Sequence, residues 1–125
     1  MLSGFNEQTK PLTEYEEDTL LPMMIQVLMA KQGKKNAVTN SHICLMLKRK
    51  GYTISDARVR KLINHIRVNG MVIGLIASSE GYYRADTLEE LDDYLGSLKG
   101  REDAIEAVRL SLEKQMVLYG KGTYR

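Results

Sequence analysis

The sequence predicts a mainly helical domain that carries one small β-hairpin and is followed by a C-terminal helical segment. Three observations point there. Val59, Leu62, Ile63 and Ile66 recur at i, i+3, i+4 and i+7, the spacing of one buried helical stripe. After Met71 the period changes: residues 72–77 are β-branched and apolar, and 82–85 resume as a strand after a glycine-containing turn, the pattern of a hairpin. Thr13-x-x-Glu16 and Thr87-x-x-Glu90 are capping-box signatures that open helices on either side of this centre.

Each element can be argued in turn. Residues 1–11 read as a tail closed by Pro11. The first helix runs from the Thr13 cap to about Lys31 with Leu20, Leu21, Met24, Ile25, Val27 and Leu28 on its apolar face. Pro22 lies inside it and should kink it, or mark a second start capped by Thr19. Gly33 stops the helix, and residues 37–39 can form a very short strand. Thr39 or Asn40 caps a helix over 41–50 that buries Ile43, Met46 and Leu47, and Gly51 suits the left-handed position that ends it. Ser55 caps the next helix, Ile54 can staple against Val59, and Asn69-Gly70 closes it. The hairpin follows, then a helical segment over 87–119, then a short tail at 120–125.

Composition sets the class. The chain has 125 residues, 43% of them apolar and 27% charged, which suits one domain with a core plus an appendage. Cys44 is the only cysteine, so no disulfide can form within the chain and a reducing, cytoplasmic location is expected. The longest apolar run, 20–30, is too short to cross a bilayer, so no membrane partner is expected. The net charge is only +2, yet 34–70 holds nine basic residues and one acid. Acidic segments flank this basic centre, a pattern that favours an oriented basic face over a uniform polycation. A negatively charged groove is its natural complement, and nucleic acid is the commonest one.

The order of elements resembles the winged helix-turn-helix. Residues 40–50 stand as support helix, 55–69 as recognition helix and 71–85 as the wing, closing on Gly81-Tyr82-Tyr83. The chain is also similar to a group of small winged-helix proteins of phages and mobile elements, in which a like recognition helix, an Ile-Gly-x6-Gly-Tyr-Tyr hairpin and an acidic trailing helix recur. Ile73-Gly74 and Gly81-Tyr82-Tyr83 carry that match, and the resemblance covers about 12–118. It implies binding of double-stranded DNA in transcriptional regulation or replication of such an element. Folds of this kind also serve as protein-binding modules, so a protein-interaction adaptor that docks a host or phage partner through its acidic helical flanks is the alternative.

The recognition helix supplies the expected site. With the 59/62/63/66 stripe inward, the opposite face centres on Ala57, Lys61, Asn64 and Val68, flanked by Arg58, Arg60 and His65. Ser55, Ala57, Arg58, Lys61, Asn64 and His65 are the candidate base contacts. Ala57 allows close approach, Asn64 can pair with adenine, and Lys61 and Arg58 can reach guanine or phosphate. Lys48, Arg49, Lys50 and Arg60 are the candidate backbone grip, with hydroxyl contacts at most from Ser78 and Ser79 in the wing. Glu80 there would repel phosphate, and Arg84 is expected to pair with it.

Tyr82 and Tyr83 alternate along their strand, so one should be core and the other half-exposed. His42 and His65 lack ligand-spaced partners and Cys44 lacks a catalytic one, so neither a metal, a cofactor nor enzymatic chemistry is expected. Leu91, Leu98, Ile105, Leu112 and Tyr119 recur every seven residues in the final segment. A helix of about 30 residues would be ~45 Å long, more than a small domain can cover. Either it folds back at Gly96 or Gly100, or it forms a homodimer through Leu98, Ile105, Val108, Leu112, Met116 and Tyr119.

Overall fold

Thr13 and Glu16 cap each other as the sequence requires. The Glu16 N–H donates to the Thr13 hydroxyl at 3.1 Å, and the Thr13 N–H donates to the Glu16 carboxylate at 2.8 Å. In the computed structural model, which describes residues 9–121, the helix begun here does not run straight to its end. Residues Glu16–Leu20 form a wide π-helical turn, in which the Leu21 N–H bonds to the Glu16 carbonyl. Helix α1, Leu21–Met29, then starts with Pro22 in its first turn. The cause is local: Pro22 brings no N–H, and in a regular helix its ring would strike the carbonyl four residues back. Pro22 therefore interrupts the helix through the π turn, and the second start capped by Thr19 does not form: Leu20 stands at the boundary in helical conformation with no side-chain cap.

A 3-10 turn, Lys34–Asn36, leads to helix α2, Asn40–Arg49. Thr39 is its cap, accepting the His42 N–H at 3.1 Å. Gly51, at φ +93°, ends it, and the N–H groups of Gly51 and Tyr52 return to the carbonyls of Lys48 and Leu47. Ser55 accepts the Arg58 N–H at 3.2 Å and caps α3, Asp56–Val68. Strands β1, Leu75–Ser78, and β2, Gly81–Arg84, pair antiparallel with Leu75 opposite Arg84 and Ser78 opposite Gly81. The strand expected at 37–39 shrinks to one residue, Val38, which exchanges both backbone bonds with Tyr82 at 3.0 and 2.8 Å. Gly81 permits that contact: a Cβ there would lie 2.5 Å from the Val38 carbonyl oxygen.

The core joins Leu20, Met24 and Leu28 to Ile43 and Leu47 of α2 and to the Val59, Leu62, Ile63 and Ile66 stripe of α3. Val38, Val72 and Leu75 close it from the hairpin side. Tyr83 is buried and Tyr82 half-buried, as their alternation requires.

The chain divides between Thr87 and Leu88 into two compact units. The described residues of the second form one unbroken helix, α4, Leu88–Lys121, so the fold-back at Gly96 or Gly100 does not occur. The helix also takes in residues 120 and 121 of the expected C-terminal tail. Of the expected tails, 1–8 and 122–125 lie outside the described residues. Lys10 and Pro11 are described and are held: both carbonyls accept hydrogen bonds from Arg58, each at 3.0 Å. No helix among the described residues is long and apolar enough to cross a membrane.

Candidate nucleic-acid interface

The outward face of α3 differs from the one its periodicity suggests, and the difference starts at Arg58. Its guanidinium donates to both carboxylate oxygens of Glu16, the Nε contact measuring 2.8 Å, and both side chains are over nine-tenths buried. With the Lys10 and Pro11 carbonyls as further acceptors, Arg58 is a fixed internal tie and is removed from the candidate base contacts. The start of α2 closes in on the same turn. Asn40 Nδ2 donates to the Asp56 carbonyl at 3.0 Å, and the Cys44 thiol donates to the Asp56 carboxylate at 3.1 Å. In this confined first turn Ala57 is also buried, so the close approach expected there is blocked. Ser55 Oγ is occupied in capping.

What α3 turns outward lies further along. Arg60, Asn64 and Val68 are exposed, and Lys61, His65 and Arg67 are half-buried beside them. After Asp56 this arc holds no acid. Arg60 thus moves from the backbone-gripping set onto the exposed face beside Asn64, and Arg67, which the periodicity alone does not single out, joins it. The His65 ring lies beside Asn69, whose Nδ2 is 3.4 Å from the ring Nδ1 and donates to the His65 carbonyl at 2.8 Å.

The charges of Arg60 and Arg67 are felt at Tyr82 of the hairpin. Burial pushes the Tyr82 phenol up, while the positive charges of these two guanidiniums oppose that shift. The Tyr82 hydroxyl donates to Asn40 Oδ1 at 3.2 Å. Asn40 therefore ties the start of α2, the start of α3 and the hairpin together through one amide. Next to it, at the N-terminus of α2, an open cleft of about 290 Å³ is lined by Lys31, Lys35, Asn36, Thr39 and His42 among others. The positive end of the helix dipole and the two lysines give this cleft an anion-attracting field. The sequence held a signal for it: no acid occurs anywhere from 19 to 55.

Lys48, Arg49 and Lys50 are exposed at the C-terminus of α2, where they also offset the helix's negative end. The hairpin tip, expected to act as a wing, is a poor phosphate contact. Ser78 donates to the Gly81 carbonyl at 3.0 Å, and Ser79 donates to the Glu80 carboxylate at 3.1 Å. Both hydroxyls are turned into the hairpin's own turn, which withdraws Ser78 and Ser79 from the backbone-contacting set. Glu80 stays below the usual carboxylate range, chiefly through the Ser79 hydroxyl, with its own backbone N–H and Lys34 adding to the effect. Its ion partner is Lys34 at 3.8 Å, and not Arg84, which donates instead to the Ile73 and Met29 carbonyls at 3.2 and 3.1 Å.

The Cys44 thiol is pushed up to about 11 by burial, with Asp56 as hydrogen-bond partner and neighbouring charge adding to the shift. It remains a protonated thiol at neutral pH, the less nucleophilic form.

Comparison with protein-family models, with curated proteins and with solved structures found no match to the chain.

Proposed function

We propose that the first unit binds duplex DNA in the manner of a winged helix-turn-helix, with the outward arc of α3 in the major groove. The observation that carries this reading is the composition of that arc: Arg60, Lys61, Asn64 and Arg67 on one acid-free helix face. Arginine can pair with the O6 and N7 acceptors of guanine, and asparagine with N6 and N7 of adenine, so Arg60 and Asn64 read bases. Lys61 reaches a guanine acceptor or phosphate, and Val68 offers an apolar contact to a thymine methyl. The Lys35–His42 cleft, aided by the α2 N-terminus, grips the flanking backbone, as do Lys48 and Arg49. Arg58 and Ala57 act only through the fold. The biological setting is transcriptional control or replication of a phage or mobile element, and the location is cytoplasmic.

The test is a selection from a random duplex pool at about 100 mM salt, followed by binding titrations. An enriched motif is the expected result. Asn64→Ala should relax that motif at one position, costing about 1–3 kcal/mol there. Roughly five phosphate contacts give a log–log salt slope near −4 to −5. If no duplex is retained, or the slope is near zero, the reading fails.

A second reading rests on one observation. Val68 and Ile73 are 76% and 78% exposed, and the hairpin turn presents Glu80 rather than a base. Exposed apolar side chains together with a negative turn suit a protein partner, making the unit an adaptor. Pull-down from nuclease-treated lysate separates the two, since only the adaptor keeps its partner without nucleic acid.

A further inference from the structure

Every residue from 99 to 120 on α4 is exposed. At 100° per residue, Ile105, Val108, Leu112, Met116 and Tyr119 fall within about 40° of one line down the helix. These five are between 55% and 69% exposed. A helix with such a stripe is stable in water only when the stripe is covered.

The geometry points to a second copy of this chain as the cover, with the two α4 helices paired antiparallel about the level of Leu110. Three features of α4 select this occupant and direction. The first is the fit of the stripe to its own reverse. In a seven-residue repeat with Ile105, Leu112 and Tyr119 at one core position and Arg101, Val108 and Gln115 at the other, antiparallel packing sets each class against the other. Val108 then faces Leu112 twice at the centre, Ile105 faces Gln115, and Arg101 faces Tyr119 of the second copy at the rim.

The second feature is Arg101. In a parallel pair it would meet its own copy inside the core. Sliding the antiparallel pair by one repeat would set it against Leu112. The chosen register alone puts it beside an aromatic ring, a favourable surround for a guanidinium.

The third feature is the flanks. On one side Ala104 and Ser111 are small and uncharged, so like side chains can meet without repulsion. On the other side Arg109 already donates to Glu113 of its own helix at 2.7 Å. The two-fold brings both pairs level, forming a ring of alternating charge. The overlap from Arg101 to Tyr119 buries roughly 1,200 Å² in total, the lower bound of stable interfaces, so association in the micromolar range is expected.

The pairing is tested on the full chain carrying Cys44→Ser, with one new cysteine at a time and a short bis-maleimide linker. Ser111→Cys faces itself across the thin flank and should cross-link to a dimer. Ile105→Cys lies roughly 15 Å from its copy along the pair and should not. Efficient linkage through Ile105→Cys and none through Ser111→Cys would overturn the antiparallel arrangement. Sedimentation of the unmodified protein at about 100 μM supplies the second reading: a dimer mass supports the pairing, and a monomer or a higher oligomer overturns it. Leu112→Asp should return the mass to that of a monomer. None of these readouts involves nucleic acid, so the pairing and the DNA-binding proposal can fail separately.

Discussion

Arg58 shows how far a single side chain can depart from its periodicity. Its place on the flank of α3 is visible in the sequence, as is the Thr13–Glu16 capping box. The partner lies 42 residues away, and no local pattern records such a pairing. A charge on the edge of an amphipathic helix looks the same whether water or a buried carboxylate awaits it. The consequence is measurable. Breaking the tie leaves an unpaired buried charge, so Arg58→Ala should cost about 3–5 kcal/mol in denaturant unfolding. Acid acts on the other partner. The Arg58 hydrogen bond, aided by Thr13, holds the Glu16 carboxyl at about 2 against an ordinary 4.5, with burial opposing. A depressed folded pKa stabilises above the unfolded value and is lost as pH falls through the folded one. The pair should therefore contribute about 3 kcal/mol at neutral pH, declining between about pH 4.5 and 2. Glu16→Gln should be less stable at pH 7 and should lose most of that pH dependence; parallel urea titrations across the window read the difference.

At the scale of elements, most of the fold was legible because its signals are local. The caps at Thr39 and Ser55, the glycine stop at 51 and the 59/62/63/66 stripe each depend on neighbours within a turn or two. Pro22 was legible as an interruption, although not as a π turn, since the missing N–H says where the helix is disturbed but not how the backbone absorbs it. The site was less legible than the fold. The arc of α3 facing outward is set by the start of α2 and by residues 10–16, which cover Ala57 and Arg58, and this shifted the candidate face toward Arg60, Asn64 and Arg67. Gly81 makes the same distinction between local and tertiary constraint testable. Gly51 and Gly81 both have positive φ, at +93° and +120°, but a Cβ at 51 meets nothing within 4 Å. Gly51→Ala should thus cost about 1 kcal/mol of backbone strain. Gly81→Ala adds a clash with the Val38 carbonyl and must open the Val38–Tyr82 bridge, so its cost should exceed that of Gly51→Ala by at least about 2 kcal/mol. Equal midpoint shifts in the two variants would show that the bridge contributes little.

For the molecule as a whole, the decisive fact is that 34 consecutive residues form one helix, on the order of 50 Å long. The seven-residue recurrence was readable in the sequence. Continuity was not, because Gly96 and Gly100 read equally well as a bend. In the helix neither glycine has any neighbouring atom within 4 Å of where a Cβ would sit, and neither has a positive φ. Nothing in the folded state therefore calls for glycine at these positions, and its remaining effect is on the unfolded chain, where it adds conformational freedom that helix formation must overcome. Gly96→Ala combined with Gly100→Ala should stabilise α4 by roughly 0.4–1 kcal/mol per site. If α4 folds as it pairs, the gain should appear in two linked readouts: a higher melting temperature for the helical signal and a shift of dimer dissociation to lower concentration, by about fifteenfold to several hundredfold because both helices of the dimer gain. Loss of helicity in the double variant would instead mean that a close approach or a bend at these glycines is part of how α4 meets its partner.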